Sequence, residues 1–185
     1  MSKYFEFTVA LENIQPQIWR RFQISARVTF ARLHEAIQES FGWENCHLWE
    51  FATTDRKPKS IAGVPDNFGW DPPVEDAAKV YLSTYFGPSK RDQCIYTYDF
   101  GDGWRHHVKL NQVMDSEETF KRRLLDGSRA CPPEDCGGIG GYERMVHFVE
   151  TGKDIWDEAE HLHDWLGDWR PDDFDLKRVK AHFDR

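Results

Sequence analysis

The segment YFEFTVALE, residues 4–12, alternates apolar and polar side chains. In an extended chain its apolar members share one face: Phe5, Phe7, Val9 and Leu11. A period of two residues is typical of a strand with one buried face. Pro16 then marks a turn, and Ile18 to Ile24 has a second strand pattern. We expect the two segments to pair as a β-hairpin.

A helix is predicted to follow this hairpin. Thr29 is a favourable N-cap residue, and Gly42 suits the left-handed position at the end of a helix. The apolar residues between them recur with helical spacing: Phe30, Leu33, Ile37 and Phe41. His47 to Thr54 has the character of a third strand. The β-β-α-β order predicts an α+β fold on a mixed or antiparallel sheet.

The middle of the chain is predicted to contain a second hairpin. Residues 55–76 are rich in Pro, Gly and Asp and predict a long loop, and residues 77–86 favour a short helix. Cys94 to Phe100 and Trp104 to Met114 have the pattern of paired strands, with Gly101-Asp102-Gly103 as a three-residue turn.

The C-terminal part is predicted to be helical. Apolar spacing and turn residues predict helices near four ranges: 116–125, 141–151, 155–166 and 174–183. A length of 185 residues suits one domain. We therefore expect a single domain over residues 1–185, which is sheet-rich up to about residue 115 and helical from 116 onward.

Negative charge is concentrated in the C-terminal half. The formal net charge is -8, of which residues 93–185 carry -7. Between residues 150 and 175 there are ten carboxylates, and the basic residues are Lys153 and Arg170. Such a surface repels phosphate backbones and anionic lipids. Nucleic acid is therefore a disfavoured partner, and no membrane association is expected.

Composition also bounds the compartment. No apolar run approaches the length of about 20 residues that spans a bilayer. The first residues pass directly into a strand pattern without the apolar core of a signal peptide. We expect a soluble cytoplasmic protein, whose four cysteines are thiols or metal ligands rather than disulfides.

Several motifs occur in an order that resembles a known family. The two longest are YTYDFGDGWRH at 96–106 and CPPEDCGG at 131–138. The shorter ones include IWRR at 18–21, FGW at 41–43 and DDFDL at 172–176. Together they are similar to the Ri-plasmid ORF-three-like family, whose members are associated with plasmids and insertion elements and have no settled biochemical role. The resemblance implies an uncharacterised accessory or binding protein.

Some relatives carry the label resolvase, and the sequence argues against that activity. A serine resolvase needs a nucleophilic serine among arginines near its N-terminus, and neither Ser2 nor Ser25 lies in such a motif. It also needs a basic helix-turn-helix to hold DNA, whereas the predicted C-terminal helices are acidic.

The turn of the second hairpin contains the first candidate site. Asp99, Asp102 and His106 could hold a divalent cation such as magnesium, or share acid–base work in a metal-dependent hydrolase or nuclease. The alternative is structural. Asp102 is then an ordinary turn residue, Asp99 pairs with an arginine, and His106 is a hydrogen-bonded core histidine.

The cysteine-containing segment is the second candidate site. Cys131 and Cys136 are separated by four residues, at the wide end of the spacing between zinc ligands. Tetrahedral zinc needs two more ligands, and three histidines could supply them: His106, His161 and His163. The alternative is a proline-stiffened loop packed by two thiols. We interpret His34 and His47 as structural hydrogen-bonding residues.

Partner binding is the leading functional hypothesis, because the chain has 8 Trp and 13 Phe but no complete catalytic constellation. We expect a protein partner on an aromatic surface that includes Tyr98 and Trp104. A nucleic-acid-binding module is a further alternative, with an arginine-rich face made of Arg20, Arg21, Arg27 and Arg32.

Overall fold

The structure, a computed structural model, describes residues 1–65 and 74–185. The described residues form a seven-stranded sheet of β1 (Ser2–Leu11), β2 (Trp19–Ser25), β3 (Trp49–Ala52), β4 (Ser60–Gly63), β5 (Gln93–Tyr98), β6 (Trp104–Ser116) and β7 (Arg122–Ser128). The strand order is β4-β3-β5-β6-β1-β2-β7, and every neighbouring pair is antiparallel. The predicted α+β class is confirmed, with the antiparallel form of the sheet.

The described helices are α1 (Phe30–Phe41), α2 (Leu82–Tyr85), α3 (Gly138–Thr151), α4 (Ala159–Leu166) and α5 (Leu176–Phe183). The first helix lies between Thr29 and Gly42 as predicted, and Gly42 has the left-handed φ of 94°. On the same side of the sheet, α5 contacts α1 and β7. None of the described helices is long and apolar enough to cross a membrane.

The opening segment forms the interior strand β1, which pairs with β2 on one side and β6 on the other. Its predicted apolar face is buried in the main core: Phe5, Phe7, Val9 and Leu11. On the opposite face, Glu6 accepts hydrogen bonds from Gln23 (3.3 Å) and Gln112 (2.8 Å). The apolar residues of β1 therefore lie on the core side of the sheet, and Glu6 lies on the other face.

The predicted helix at residues 116–125 is wrong. β6 continues to Ser116, and Arg122–Ser128 is the edge strand β7. Leu124 and Arg122 are buried, and the Arg122 guanidinium lies 4.7 Å from the ring centroid of Phe183. A long side chain can bury its apolar stem while its charged end is paired. Because Arg122 is a charged residue at a buried position, the sequence of this strand does not show the apolar–polar alternation that predicts a strand.

Two loops in the middle of the chain also differ from the prediction. The loop predicted over 55–76 contains β4, and residues 66–73 of it lie outside the described residues. The loop between β5 and β6 spans residues 99–103 rather than the three predicted, because Asp99 already leaves the strand with a φ of 54°.

Arg20 is buried between the sheet and the C-terminal segment, with 2% of its surface exposed. It donates at 2.7–2.9 Å to four backbone carbonyls, those of Trp19, Ser40, Ser128 and Arg129. The rings of Phe41 and Phe174 cover the guanidinium. Burial lowers the pKa of Arg20 to about 10, so it keeps its charge at neutral pH. Its predicted contact with nucleic acid is therefore wrong.

Substitution of Arg20 by alanine should leave several buried carbonyls without a donor. We expect the free energy of unfolding, measured by urea denaturation, to fall by about 3 kcal/mol or more, because each unsatisfied buried group costs about 1–3 kcal/mol. The neighbouring Arg21 is half-exposed and pairs with Asp126 at 3.9 Å. Arg21→Ala is the matched control, with an expected loss within about 1 kcal/mol. Equal losses in the two variants would contradict the structural role of Arg20.

Candidate metal centre

Two loops meet at one end of the sheet because β3 and β5 are antiparallel neighbours. Trp49, the first residue of β3, pairs with Tyr98, the last residue of β5. The residues before β3 therefore lie beside those after β5, and the Asp99 N–H donates to the Leu48 carbonyl at 3.0 Å. This pairing brings His47 next to Asp99.

A third loop, residues 131–137 before α3, lies against the same end. Asp102 accepts a hydrogen bond from the Gly137 N–H (3.1 Å), and the indole of Trp43 donates to the Pro132 carbonyl (3.0 Å). These two bonds hold the loop across the ends of β3 and β5. Glu134 and Asp135 consequently face His47.

His47 lies among three carboxylates. Its Nε2 is 3.2 Å from Asp135 Oδ1, 3.7 Å from Asp99 Oδ2 and 3.8 Å from Glu134 Oε2. The side chains of Asp99 and Glu134 are 11% and 16% exposed, whereas that of Asp135 is 75% exposed. Asp135 therefore lies on the solvent side, and the other two carboxylates lie deeper.

Hydrogen bonds orient Glu134 toward His47. One of its oxygens accepts from the Tyr98 hydroxyl (2.9 Å) and from the Glu44 N–H (2.8 Å). The Tyr98 oxygen in turn accepts from the Cys46 N–H (3.1 Å). Burial raises the pKa of Tyr98 above its usual range, so the hydroxyl keeps the proton that it donates. The second oxygen of Glu134, Oε2, is left to face the imidazole.

The geometry of this cluster suits a bound cation. With metal–ligand bonds of about 2.0–2.2 Å, adjacent ligand atoms lie about 2.8–3.6 Å apart, so separations of 3.2–3.8 Å need little adjustment. His47 Nε2 and Glu134 Oε2 are buried without a hydrogen-bond partner among the described residues. Buried carboxylates normally need a nearby positive charge.

Lysine and arginine do not provide that charge. The ion pairs within residues 1–65 and 74–185 include none between these carboxylates and a lysine or arginine. Asp99, Glu134 and Asp135 instead share the single imidazole of His47. The arrangement can therefore bind a divalent ion.

Of the predicted set Asp99, Asp102 and His106, the structure brings only Asp99 into the cluster. Asp102 accepts from the Gly137 N–H at the start of α3. His106 is 0% exposed, and its Nδ1 donates to the carbonyls of Tyr96 (3.3 Å) and Trp104 (3.1 Å). Burial lowers the pKa of His106 to about 3. His106 is therefore a core histidine, in line with the structural alternative.

The predicted zinc ligands do not converge. Among the described residues, two groups have candidate ligand atoms within 4.8 Å of one another: Cys46, His47 and Glu134, and His47, Asp99 and Asp135. The predicted ligands lie outside both groups: Cys131, Cys136, His106, His161 and His163. Burial raises the pKa of Cys136 to about 12 and that of Cys131 well above its usual value, which keeps both as thiols.

The predicted aromatic surface is also inside the protein. Tyr98 and Trp104 are 0% and 1% exposed. The large aromatic side chains that do reach solvent include Phe100, Trp156 and Trp165. A partner that docks on Tyr98 or Trp104 is therefore excluded by their burial. Of the predicted arginine face, Arg20 is buried and Arg21 and Arg32 pair with acidic side chains.

The sequence interpretation missed His47, Glu134 and Asp135 as members of one site. For His34 the structural interpretation agrees with the structure. Its ring bonds to the Tyr96 hydroxyl (2.8 Å) and to Asn45 (2.7 Å), and burial lowers its pKa to about 4. The available signals for the site were a histidine at the start of the predicted third strand and an acidic pair inside a proline-stiffened loop.

Comparisons with known proteins place the chain among uncharacterised proteins. Residues 3–178 match the model of a family described as plasmid pRiA4b ORF-3-like protein. The uncharacterized protein y4hQ of Sinorhizobium fredii is 36% identical over 163 residues, which cover 86% of this chain and 78% of that protein. The crystal structure of MM3350, a protein of unknown function from Methanosarcina mazei Go1, is 35% identical, with a TM-score of 0.84 over 97% of this chain and 98% of that one.

The two buried neutral histidines predict a loss of stability in acid. An unfolded histidine has a pKa of about 6.5, whereas the folded values are about 3 for His106 and about 4 for His34. The unfolded chain therefore takes up protons first, and stability declines as the pH falls below about 6.5. We expect His106 alone to account for about 2 kcal/mol of this loss at pH 5.

Urea denaturation between pH 5 and 6.5 measures this effect. His106→Gln should lower stability at every pH and reduce the slope of unfolding free energy against pH by about half, because His34 supplies the rest. His163→Gln, at an exposed imidazole, is the matched control and should leave the slope unchanged. An unaltered slope in His106→Gln would show that His106 is not held neutral.

Proposed function

The chain belongs to the plasmid pRiA4b ORF-3-like family, and we propose that it binds a divalent metal ion through His47, Asp99 and Asp135, with Glu134 beside them. The observation that carries this proposal is the approach of three carboxylates to one buried imidazole nitrogen. Its relatives y4hQ and MM3350 are described as uncharacterized and of unknown function, so no activity is established among them.

The surroundings of the cluster support a metal rather than a fortuitous contact. The Glu134 carboxylate is held by the Tyr98 hydroxyl and the Glu44 N–H, and such outer hydrogen bonds orient metal ligands in known sites. Imidazole with carboxylates suits ions such as zinc, manganese and iron. The side chain of Asp135 is 75% exposed, so the cluster is open to solvent on that side. A divalent ion held by these residues would supply the Lewis acidity that metal-dependent hydrolases use, and hydrolysis is the chemistry of this proposal.

Equilibrium dialysis against zinc, followed by elemental analysis, tests the proposal. We expect a single equivalent bound by the purified protein, and zinc at about 100 times its Kd should add about 2.7 kcal/mol of stability. His47→Ala and Asp99→Asn should each weaken binding by at least about tenfold. His163→Ala and Asp164→Asn, on the exposed face of α4, are the matched controls. Binding that is absent, or equal in His47→Ala and the wild type, would contradict the site.

A second candidate function is binding of a basic protein partner. Because Trp104 is buried, the proposed binding surface is the C-terminal one. Trp156 is 63% exposed and stacks on the Arg144 guanidinium at 3.9 Å, and Trp165 is 46% exposed and lines a cavity with Arg144. The adjacent acidic side chains complement positive charge: Asp157, Glu158, Glu160 and Asp164. Exposed tryptophans in such a setting are frequent energetic centres of interfaces.

A synthetic amphipathic peptide of lysine and leucine is the probe for this surface. We expect binding that weakens as salt increases and falls by at least about tenfold in Trp156→Ala. Tyr81→Ala is the control, because Tyr81 is similarly exposed but lies beside α2. Equal affinities for the two variants would remove this candidate.

A further inference from the structure

Cys46 is the residue of the metal cluster that the proposed function leaves unused. Its thiol lies with His47 and Glu134 in a group whose ligand atoms are all within 4.8 Å of one another. The thiol is free, and Cys46 is an exposed residue. Residues 43–46 have no regular secondary structure, which allows two consecutive side chains to turn toward the same point.

The sulfur is held near the cluster by Tyr98. The Cys46 N–H donates to the Tyr98 oxygen at 3.1 Å, and Sγ lies 3.7 Å from the same oxygen. The single hydroxyl proton of Tyr98 is already donated to Glu134. The Tyr98 proton is therefore not hydrogen-bonded to the sulfur of Cys46, and the sulfur lone pairs remain available to a metal.

His47 thus belongs to two overlapping ligand groups. One group contains the sulfur of Cys46 and a Glu134 oxygen, and the other contains oxygens of Asp99 and Asp135. Thiolate selects soft or borderline ions such as zinc, cobalt and cadmium, whereas an oxygen-rich group accepts manganese or magnesium. The chemistry of the two groups therefore differs in the metals that it favours.

Resting on the proposed metal site, we infer that the ion it takes is a thiophilic divalent metal of the zinc class, with Cys46 as a ligand through sulfur. Binding converts the Cys46 thiol to a metal-bound thiolate, and the displaced proton goes to solvent. His47 and Glu134 are the other ligands of this group, and Asp99 and Asp135 bind the same ion through their oxygens, as in the proposed function.

Cadmium is the probe, because a cadmium–thiolate bond absorbs in the ultraviolet by charge transfer. The wild type should develop this absorption with a single equivalent of cadmium, and Cys46→Ser should lose it. The affinity of Cys46→Ser for cadmium and zinc should fall by at least about tenfold, with little change in its affinity for manganese. Cys136→Ser, at a half-buried thiol outside both groups, should keep the absorption. Circular dichroism checks that each variant is folded.

The outcomes separate this inference from the proposed function. If cadmium binding depends on His47 but the ultraviolet absorption is the same in Cys46→Ser and the wild type, Cys46 is not a ligand. That result would overturn the inference without contradicting the metal site. If the absorption is retained in Cys46→Ser and lost in Cys136→Ser, the thiolate ligand is Cys136 rather than Cys46. This result would also overturn the inference. Failure of cadmium, zinc and manganese to bind the wild type would overturn both.

Discussion

The guanidinium of Arg20 is buried where β2, the end of α1 and the segment after β7 come together. A buried charge is costly unless polar groups replace its water, and here four carbonyl dipoles do so in place of a carboxylate. Three of those carbonyls belong to chain segments far from Arg20 in sequence. Their positions are therefore fixed together, because a shift in any one segment would leave a charge without its acceptor.

This constraint reaches the packing around it. Gly127 pairs with Arg20 across β2 and β7, and a Cβ atom there would lie 2.6 Å from the Phe174 ring and 2.8 Å from Arg20 Cδ. Only glycine leaves room for the ring that covers the guanidinium. The segment Asp172 to Leu176 is one of the family motifs. It is held on the sheet by the contact between the Phe174 ring and the buried Arg20 guanidinium.

The candidate metal centre depends on the same region. Phe41, which covers the other part of the guanidinium, stacks on Trp43 with ring centroids 5.4 Å apart, and Trp43 holds Pro132 by its indole N–H. Arg20 also bonds to the Arg129 carbonyl, just before the loop that carries Glu134. The loop is therefore anchored at its start by a cation and in its middle by an indole. This anchoring places the carboxylates of the loop beside His47, although the carboxylates of the cluster repel one another.

The sequence by itself determined the local elements. The two-residue period of 4–12, the helical spacing between Thr29 and Gly42, and the second hairpin around Gly101 to Gly103 are set by neighbouring side chains, and each is found in the structure. The family motifs likewise identified the family. Tertiary structure alone decided that residues 122–128 extend the sheet, that Arg20 and Trp104 are interior, and that His47 meets Asp99 and Glu134. Those outcomes depend on which strand ends become neighbours and on which charges find buried partners, and neither is recorded in the spacing of residues along one segment.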